Sequence, residues 1–210
     1  MSERRRERLA RARLYFVVDL HPQLERVLRA ALGGGVDMVQ LRDKRAGDEE
    51  LLAAAPVFRR LCDEHDALFW LNDRPDLALR AGADGVHVGQ DEALGRVRAQ
   101  VGSELLVGLS THSPEQLERA IATDVDEISV GPVYETPTKE GRPAAGLEYV
   151  RHAAERATGR AWFAIGGIDL DNVRDVRAAG AERIVVVRAI RDAEDPGAAA
   201  AALRAALGDG

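Results

Sequence analysis

The sequence predicts an α/β protein that folds as a single-domain (β/α)8 TIM barrel. Eight short apolar runs alternate with helical segments, and most of these runs are apolar at nearly every position. Such runs are typical of parallel strands that are covered on both faces. Acidic residues precede alternate runs, at Asp37, Asp84 and Asp126, and Glu182 before the eighth run resembles them. Because a barrel built from duplicated βαβα units leaves such a repeat, the pattern favours a closed barrel over an open sheet.

The elements follow one another without a linker. The strands are predicted at residues 14–18, 36–41, 68–71, 85–88, 104–108, 127–130, 162–165 and 183–187. Helices are predicted in the gaps between them, at 23–32, 49–65, 75–81, 93–101 and 113–123 among others, and a last helix covers 196–207. Three glycines, 33–35, end the first of these helices, and Ser113-Pro114 has the pattern of a helix start. We expect residues 1–13 to be a frayed or helical lead-in and 14–210 to form the barrel domain.

Composition excludes several classes of protein. The 210 residues carry a net charge of −6, which argues against a nucleic-acid-binding protein. No apolar run approaches the roughly 20 residues of a membrane span, and no apolar segment follows the basic residues at the N-terminus. The single cysteine, Cys62, excludes an internal disulfide and predicts a cytoplasmic location. Its helical spacing from Phe58 and Leu61 indicates a packing cysteine rather than a nucleophile.

Polar side chains follow the second predicted strand. Side chains alternate along a strand, so Gln40, Arg42 and Lys44 are expected to share one face. In a barrel of this class the active site lies at the carboxyl ends of the strands. At that position the three side chains would bind an anion, and the alternative is a solvated strand end.

Carboxylates follow the third and fourth predicted strands. Asp73 comes directly after the third strand, and Asp91 and Glu92 follow the fourth. Carboxylates beside a cationic group suit Mg²⁺, which commonly takes one or two carboxylates together with substrate phosphates. The alternative is a network of ion pairs with nearby arginines. His87 lies within the fourth strand, where we expect a hydrogen-bonded interior histidine rather than a catalytic base.

The fifth predicted strand is followed by Ser110, Thr111 and His112, which places the Ser110 hydroxyl at the barrel mouth. These three residues lie too close in sequence to form a catalytic triad, and no partner acid is identifiable in the sequence. Serine-hydrolase chemistry is therefore not predicted.

Two further segments suit a phosphate. The loop 131–139 offers Thr136, Thr138 and Lys139, whose hydroxyls and ammonium group can bind an anion. A solvated loop is the alternative. A pair of glycines that includes Gly167 follows the seventh strand, and Val187-Arg188 follows the eighth. At these two positions many barrels bind phosphate through backbone N–H groups.

These groups divide into two anion sites. Side-chain cations and carboxylates form one, and a neutral backbone cup forms the other. The charge of the first suits a diphosphate better than a phosphate monoester. The division therefore indicates a diphosphate leaving group and a separate monophosphate substrate.

Six motifs follow one another along the chain. They are Gln-Leu-Arg-Asp-Lys at 40–44, Asn-Asp-Arg at 72–74, Gly-Val-His-Val-Gly-Gln at 85–90, Gly-Leu-Ser-Thr-His at 108–112, Gly-Pro-Val-Tyr-Glu-Thr-Pro-Thr-Lys at 131–139 and Ile-Gly-Gly-Ile at 165–168. In this order they resemble the motifs of the thiamine-phosphate synthase family, also called thiamine-phosphate pyrophosphorylase. The resemblance covers about residues 14–195. It implies joining of 4-amino-5-hydroxymethyl-2-methylpyrimidine diphosphate to 4-methyl-5-(2-phosphoethyl)thiazole, with release of pyrophosphate. The implied mechanism is dissociative: pyrophosphate leaves first, and the thiazole nitrogen attacks the resulting pyrimidine cation.

The resemblance also implies roles for individual residues. Diphosphate binding is implied for Gln40, Arg42, Lys44, Asn72 and Lys139, and thiazole-phosphate binding for Thr136, Thr138, Gly167, Val187 and Arg188. Ser110 would lie beside the reacting pyrimidine, and Ser110, Arg42 and Lys139 would act in catalysis. Asp73 and Glu92, with Asp91 as the alternative to Glu92, would hold Mg²⁺. The partners would be these small molecules alone, without nucleic acid or membrane, and a homo-oligomer is compatible with the sequence.

The sequence departs from the family pattern at two positions. The family usually has aspartate two places after Gln90, where this chain has Glu92, and many members have serine at the position of Arg188. Two other functions stay open. One is an isomerase like the related thiazole tautomerases, which need no diphosphate site, and the other is a non-catalytic barrel that binds a phosphometabolite.

Overall fold

The computed structural model describes residues 2–136, 143–157 and 159–208, and in it eight parallel strands close into a barrel in chain order. Each strand pairs with the next one in sequence, and β8 pairs with β1. The strands are β1 (Leu14–Val18), β2 (Met38–Leu41), β3 (Leu68–Asn72), β4 (Gly85–Val88), β5 (Leu106–Thr111), β6 (Glu127–Val130), β7 (Ala161–Ile165) and β8 (Ile184–Val186). The predicted (β/α)8 TIM barrel is confirmed.

Helices connect the strands on the outside of the barrel. They are α1 (Ser2–Arg11), α2 (Leu24–Gly33), α3 (Asp48–Glu64), α4 (Pro75–Ala78), α5 (Leu94–Val101), α6 (Pro114–Ile121), α7 (Gly146–Arg156), α8 (Val173–Ala178), α9 (Arg188–Arg191) and α10 (Pro196–Leu207). Ser113 caps α6 as predicted, because its hydroxyl accepts a hydrogen bond from the Gln116 N–H. α4 and α9 are only four residues long.

The predicted bounds of the fifth strand are wrong. The strand was expected at 104–108, but β5 runs from Leu106 to Thr111. Ser110 and Thr111 continue the strand because they pair with Ser129 and Val130 of β6. Because Ser110 and Thr111 are polar, the apolar pattern did not predict a strand at these positions, where pairing with β6 fixes the backbone.

Two apolar layers enclose the strands. The outer layer lies between strands and helices, and the inner one fills the barrel with side chains such as Tyr15, Trp70 and Phe163. Leu9 and Ala12, from α1 and the residue after it, pack into the inner layer. Within the lead-in predicted for residues 1–13, α1 (Ser2–Arg11) is therefore a helix that covers the amino-terminal end of the barrel, opposite the carboxyl ends of the strands.

The repeated acidic residues stabilise that same end. Asp37 Oδ2 accepts the Leu14 N–H at 2.9 Å, Asp84 Oδ2 accepts the Phe69 N–H at 2.9 Å, and Asp126 Oδ2 accepts a backbone N–H of β5 at 2.9 Å. Each carboxylate thus holds the start of the preceding strand. The repeat predicted from the sequence is structural, and it accounts for aspartate rather than an apolar residue at these positions.

We expect Asp84→Asn to lower the free energy of unfolding by about 2–4 kcal/mol at pH 7, because the change breaks a buried ion pair. Asp84 accepts hydrogen bonds from Arg5 at 2.9 Å and Arg59 at 2.7 Å. Burial would raise the pKa of Asp84, but the bonds from Arg59 and Phe69 outweigh burial and lower it. Because the folded pKa lies below the unfolded value of about 3.9, the stabilisation is complete at neutral pH and is lost as the pH falls below about 4.

Urea unfolding at several pH values would measure this effect. The matched control is Asp63→Asn, which removes a 2.7 Å pair to the same Arg59 from an exposed carboxylate and should cost under about 1 kcal/mol. The difference in the free energy of unfolding between wild type and Asp84→Asn should become smaller between pH 5 and pH 3, because protonation of Asp84 removes the stabilisation that its ionised form provides. A difference in the free energy of unfolding that does not change with pH would contradict the stabilising role assigned to ionised Asp84.

Cys62 is buried on the apolar face of α3, which confirms the predicted packing role. Burial raises the pKa of its thiol to about 12, so almost none of it is thiolate at neutral pH. Within the described part of the chain, none of the helices has the length and apolar character that crossing a bilayer requires.

Candidate active site

Two neighbouring cavities lie at the carboxyl ends of the strands. The smaller, of about 50 Å³, is lined by the side chains of Gln40, Arg42, Asn72 and Ser110 among others. The larger, of about 320 Å³, is lined by Thr136, Gly167, Val187 and Arg188 among others. Val187 lines both cavities, so they are adjacent. The structure thus brings most of the residues predicted for the two anion sites into two adjoining spaces.

The smaller cavity is anchored by Gln40. Its side chain is buried in the barrel, and its Nε2 donates to the Tyr15 hydroxyl at 2.5 Å. β2 ends at Leu41, so the strand face predicted for Gln40, Arg42 and Lys44 does not continue as a strand beyond that residue. Gln40 and Arg42 nevertheless line the same cavity. Arg42 and Lys44 instead lie in the loop that follows, where Arg42 is half-buried and Lys44 is exposed.

Asp43 fixes this loop, and sequence reasoning gave it no role. Its carboxylate accepts the backbone N–H groups of Leu20, Arg45 and Ala46 at 3.2, 2.9 and 3.3 Å. Burial would raise the pKa of Asp43, but these three hydrogen bonds outweigh it and lower the pKa. Asp43 thereby ties the loop that carries Arg42 to the end of β1.

The predicted metal carboxylates lie exposed at the barrel mouth. Asp73 has a left-handed backbone with φ of 55°, and its Oδ2 accepts a hydrogen bond from Asn72 Nδ2 at 2.8 Å. Among residues 2–136, 143–157 and 159–208, no arginine or lysine pairs with Asp73, Asp91 or Glu92. Arg74, the nearest in sequence, pairs with other aspartates. The alternative of an ion-pair network is therefore not what the structure shows.

The larger cavity depends on two glycines. Gly166 and Gly167 have φ of 105° and 66°, a left-handed backbone that favours glycine. The Tyr134 N–H donates to the Gly166 carbonyl at 3.0 Å, and Asn172 Nδ2 donates to the Gly167 carbonyl at 2.8 Å. The Gly167 N–H donates to no acceptor within the described residues, so it is available to an anion.

Asn172, which sequence reasoning missed, therefore holds Gly167 in place. A polar amide directly before α8 was the available signal. Arg188 is exposed and opens α9, where the first backbone N–H groups of a helix lack helical acceptors. Thr138, predicted to bind the thiazole phosphate, and Lys139, predicted to bind the diphosphate, lie outside the described residues.

Ser110 belongs to a chain of buried hydrogen bonds. Its hydroxyl lies 2.9 Å from His87 Nε2, and His87 Nδ1 lies 2.8 Å from Glu127 Oε2. The predicted interior, hydrogen-bonded His87 is confirmed. The sequence missed Glu127 as a partner acid, although a glutamate that alternates with a serine on an apolar strand was a usable signal.

Together the fold and the two cavities define a class of protein: a (β/α)8 barrel with polar and charged side chains and glycine backbone gathered at the carboxyl ends of its strands. Comparison with known proteins identifies the particular family. The family model for thiamine monophosphate synthase matches residues 14–190. The chain belongs to this family.

Individual relatives agree with this assignment. The chain is 54% identical over 193 residues to the thiamine-phosphate synthase of Gloeobacter violaceus, covering 91% of the chain but 56% of that protein. It is 51% identical over 204 residues to the thiamine-phosphate synthase of Acidothermus cellulolyticus, covering 95% of the chain and 96% of that protein. The solved structure of the thiamine phosphate pyrophosphorylase from Pyrococcus furiosus superimposes with a TM-score of 0.85 at 33% identity, covering 96% of each chain.

Proposed function

We propose that this protein is a transferase that condenses 4-amino-5-hydroxymethyl-2-methylpyrimidine diphosphate with 4-methyl-5-(2-phosphoethyl)thiazole, giving thiamine monophosphate and pyrophosphate. The observation that carries the proposal is the pair of adjoining cavities, which differ in chemistry and share Val187. The smaller is lined by Arg42, by neutral polar side chains and by apolar ones. The larger is lined by glycine backbone together with Asp169, Arg188 and Asp192. Two substrates held side by side react with a much smaller entropic barrier.

The smaller cavity is proposed to bind the pyrimidine diphosphate. Gln40, Arg42 and Asn72 line it, and Lys44 lies in the loop after Arg42. We assign diphosphate contacts to these four residues and to Lys139. Arginine and lysine stabilise the negative charge that grows on the leaving group as the C–O bond breaks.

The larger cavity is proposed to bind the thiazole phosphate. The Gly167 N–H and the backbone at Val187–Arg188 would bind phosphate oxygens, and Thr136 and Thr138 would add hydroxyls. Placed there, the thiazole ring would face the pyrimidine through the boundary that Val187 forms. This arrangement supports attack by the thiazole nitrogen on a pyrimidine cation after pyrophosphate has left.

Magnesium is proposed as the cofactor, with Asp73 and Glu92 as its protein ligands and Asp91 as the alternative to Glu92. Within the described residues, no group of three or more histidine, cysteine or carboxylate side chains could hold a metal ion. The exposed carboxylates after β3 and β4 fit the usual Mg²⁺ arrangement of one or two carboxylates plus substrate phosphates. Bound there, Mg²⁺ would neutralise charge on the diphosphate.

The partners are proposed to be these small molecules, and the location to be the cytoplasm. A reducing compartment agrees with the single buried cysteine.

Pyrophosphate release from the purified protein tests the proposal. Release should require both substrates and Mg²⁺, and EDTA should abolish it reversibly. Binding of the thiazole phosphate without any release would instead indicate a non-catalytic barrel, and its isomerisation would indicate a tautomerase.

A further inference from the structure

The register of β4, β5 and β6 places His87, Gly108 and Glu127 in one row across the barrel wall. The middle residue has no side chain. A Cβ at Gly108 would overlap Glu127 Oε2 and would lie 2.7 Å from His87 Nδ1. Gly108 therefore leaves the space in which His87 and Glu127 meet across the intervening strand.

Glu127 is fully buried, and both of its oxygens have partners. Oε1 accepts from the Ser129 hydroxyl at 2.7 Å, and Oε2 lies 2.8 Å from His87 Nδ1. A buried carboxylate is costly unless it is hydrogen-bonded in this way. The pKa of the nearby Tyr15 is raised, first by burial and then by the negative charge of Glu127.

The carboxylate decides which ring nitrogen of His87 carries a hydrogen. An ionised carboxylate only accepts, so Nδ1 must donate, and the Nε2 of a neutral imidazole is left as an acceptor. The Ser110 hydroxyl, 2.9 Å away, then donates its one hydrogen to Nε2. Only its lone pairs remain for a ligand in the smaller cavity, which Ser110 lines.

We propose that Glu127 and His87 are positioning residues that orient the Ser110 hydroxyl as a hydrogen-bond acceptor for the amino group of the pyrimidine substrate. This inference rests on the proposed function. As pyrophosphate leaves, positive charge spreads into the ring and its N–H group becomes a stronger donor. A preoriented acceptor, backed by a buried carboxylate, stabilises that charge more than it stabilises the ground state.

The decisive variant is Glu127→Gln, which keeps the shape of the side chain but reverses the hydrogen bonds. The amide carbonyl accepts from Ser129, so the amide NH₂ donates to Nδ1, and Nε2–H then donates to Ser110. Ser110 becomes a donor toward the substrate. A comparable carboxylate-to-amide change behind a catalytic histidine lowers turnover by roughly 10⁴-fold. We expect kcat to fall by at least about 10²-fold, with the KM for the thiazole phosphate unchanged.

The double variant with Ser110→Ala distinguishes action through Ser110 from a purely structural role of Glu127. If Glu127 acts through Ser110, Glu127→Gln should cost less than about twofold in a protein that already carries Ser110→Ala. The full loss in that background would overturn the proposal. The matched control is Tyr149→Phe, which removes a buried 2.7 Å bond to Thr111, the next residue along β5. It should lower stability without lowering kcat.

The ¹⁵N NMR shifts of His87 test the same inference without activity. In the wild type Nδ1 should be protonated and Nε2 bare, and Glu127→Gln should exchange them. Protonated Nε2 in the wild type would overturn the proposal even if the variant failed to fold. If the wild-type protein released no pyrophosphate, the proposed function would be wrong. The NMR result on which ring nitrogen of His87 is protonated would not be affected.

Discussion

Replacing Arg42 with alanine is expected to lower kcat/KM for the pyrimidine diphosphate by about 10²–10³-fold, the cost of removing one charge-stabilising donor. Arg42 lines the smaller cavity, and its guanidinium pairs with no carboxylate among the described residues. The backbone N–H that holds the loop to Val18, at 2.9 Å, is kept in the variant. The free energy of unfolding should therefore change by less than about 0.5 kcal/mol.

Arg45→Ala is the matched control for this prediction. Arg45 lies in the same loop, but its side chain is 85% exposed and lines neither cavity. Pyrophosphate release measured against each substrate should leave Arg45→Ala close to wild type and should leave the KM for the thiazole phosphate unchanged in both variants. Wild-type turnover in Arg42→Ala would contradict the assignment of the diphosphate to the smaller cavity.

Replacing Gly167 with alanine is expected to raise the KM for the thiazole phosphate more than tenfold. A Cβ at Gly167 would lie 2.7 Å from Tyr134 Cβ and 3.0 Å from the Glu135 carbonyl oxygen. The backbone has to move to relieve that contact, and its free N–H moves with it. A left-handed φ of 66° adds about 1 kcal/mol of strain.

Gly102→Ala is the control for an alanine at a left-handed φ outside the cavities. Gly102 has φ of 64°, nothing lies within 4 Å of its added Cβ, and it ends α5 away from both cavities. Its ψ of −159° lies in a region that essentially only glycine adopts, so thermal unfolding should show a loss of about 1–3 kcal/mol for Gly102→Ala. The KM for the thiazole phosphate should nevertheless stay unchanged in Gly102→Ala and rise in Gly167→Ala. An unchanged KM in Gly167→Ala would contradict the assignment of the thiazole phosphate to the larger cavity.

Local information was sufficient for the fold class. Apolar runs and helix-capping residues depend on neighbours a few positions away, so eight strands and their order were predictable, and so was the packing role of Cys62. The most informative failure is β5, whose polar end is a strand only because β6 pairs with it. Pairing between strands is a property of the assembled sheet.

The candidate site, too, was predictable from the sequence only in part. The sequence by itself determined which chemical groups stand at the strand ends, including Arg42, Asp73, Ser110 and Gly167. Only the tertiary structure decided that Asp84 fastens a neighbouring strand and that Asp43 holds the loop of Arg42. It also decided that Glu127 reaches Ser110 through His87, because barrel closure and register bring together side chains that lie 40 and 23 positions apart along the chain.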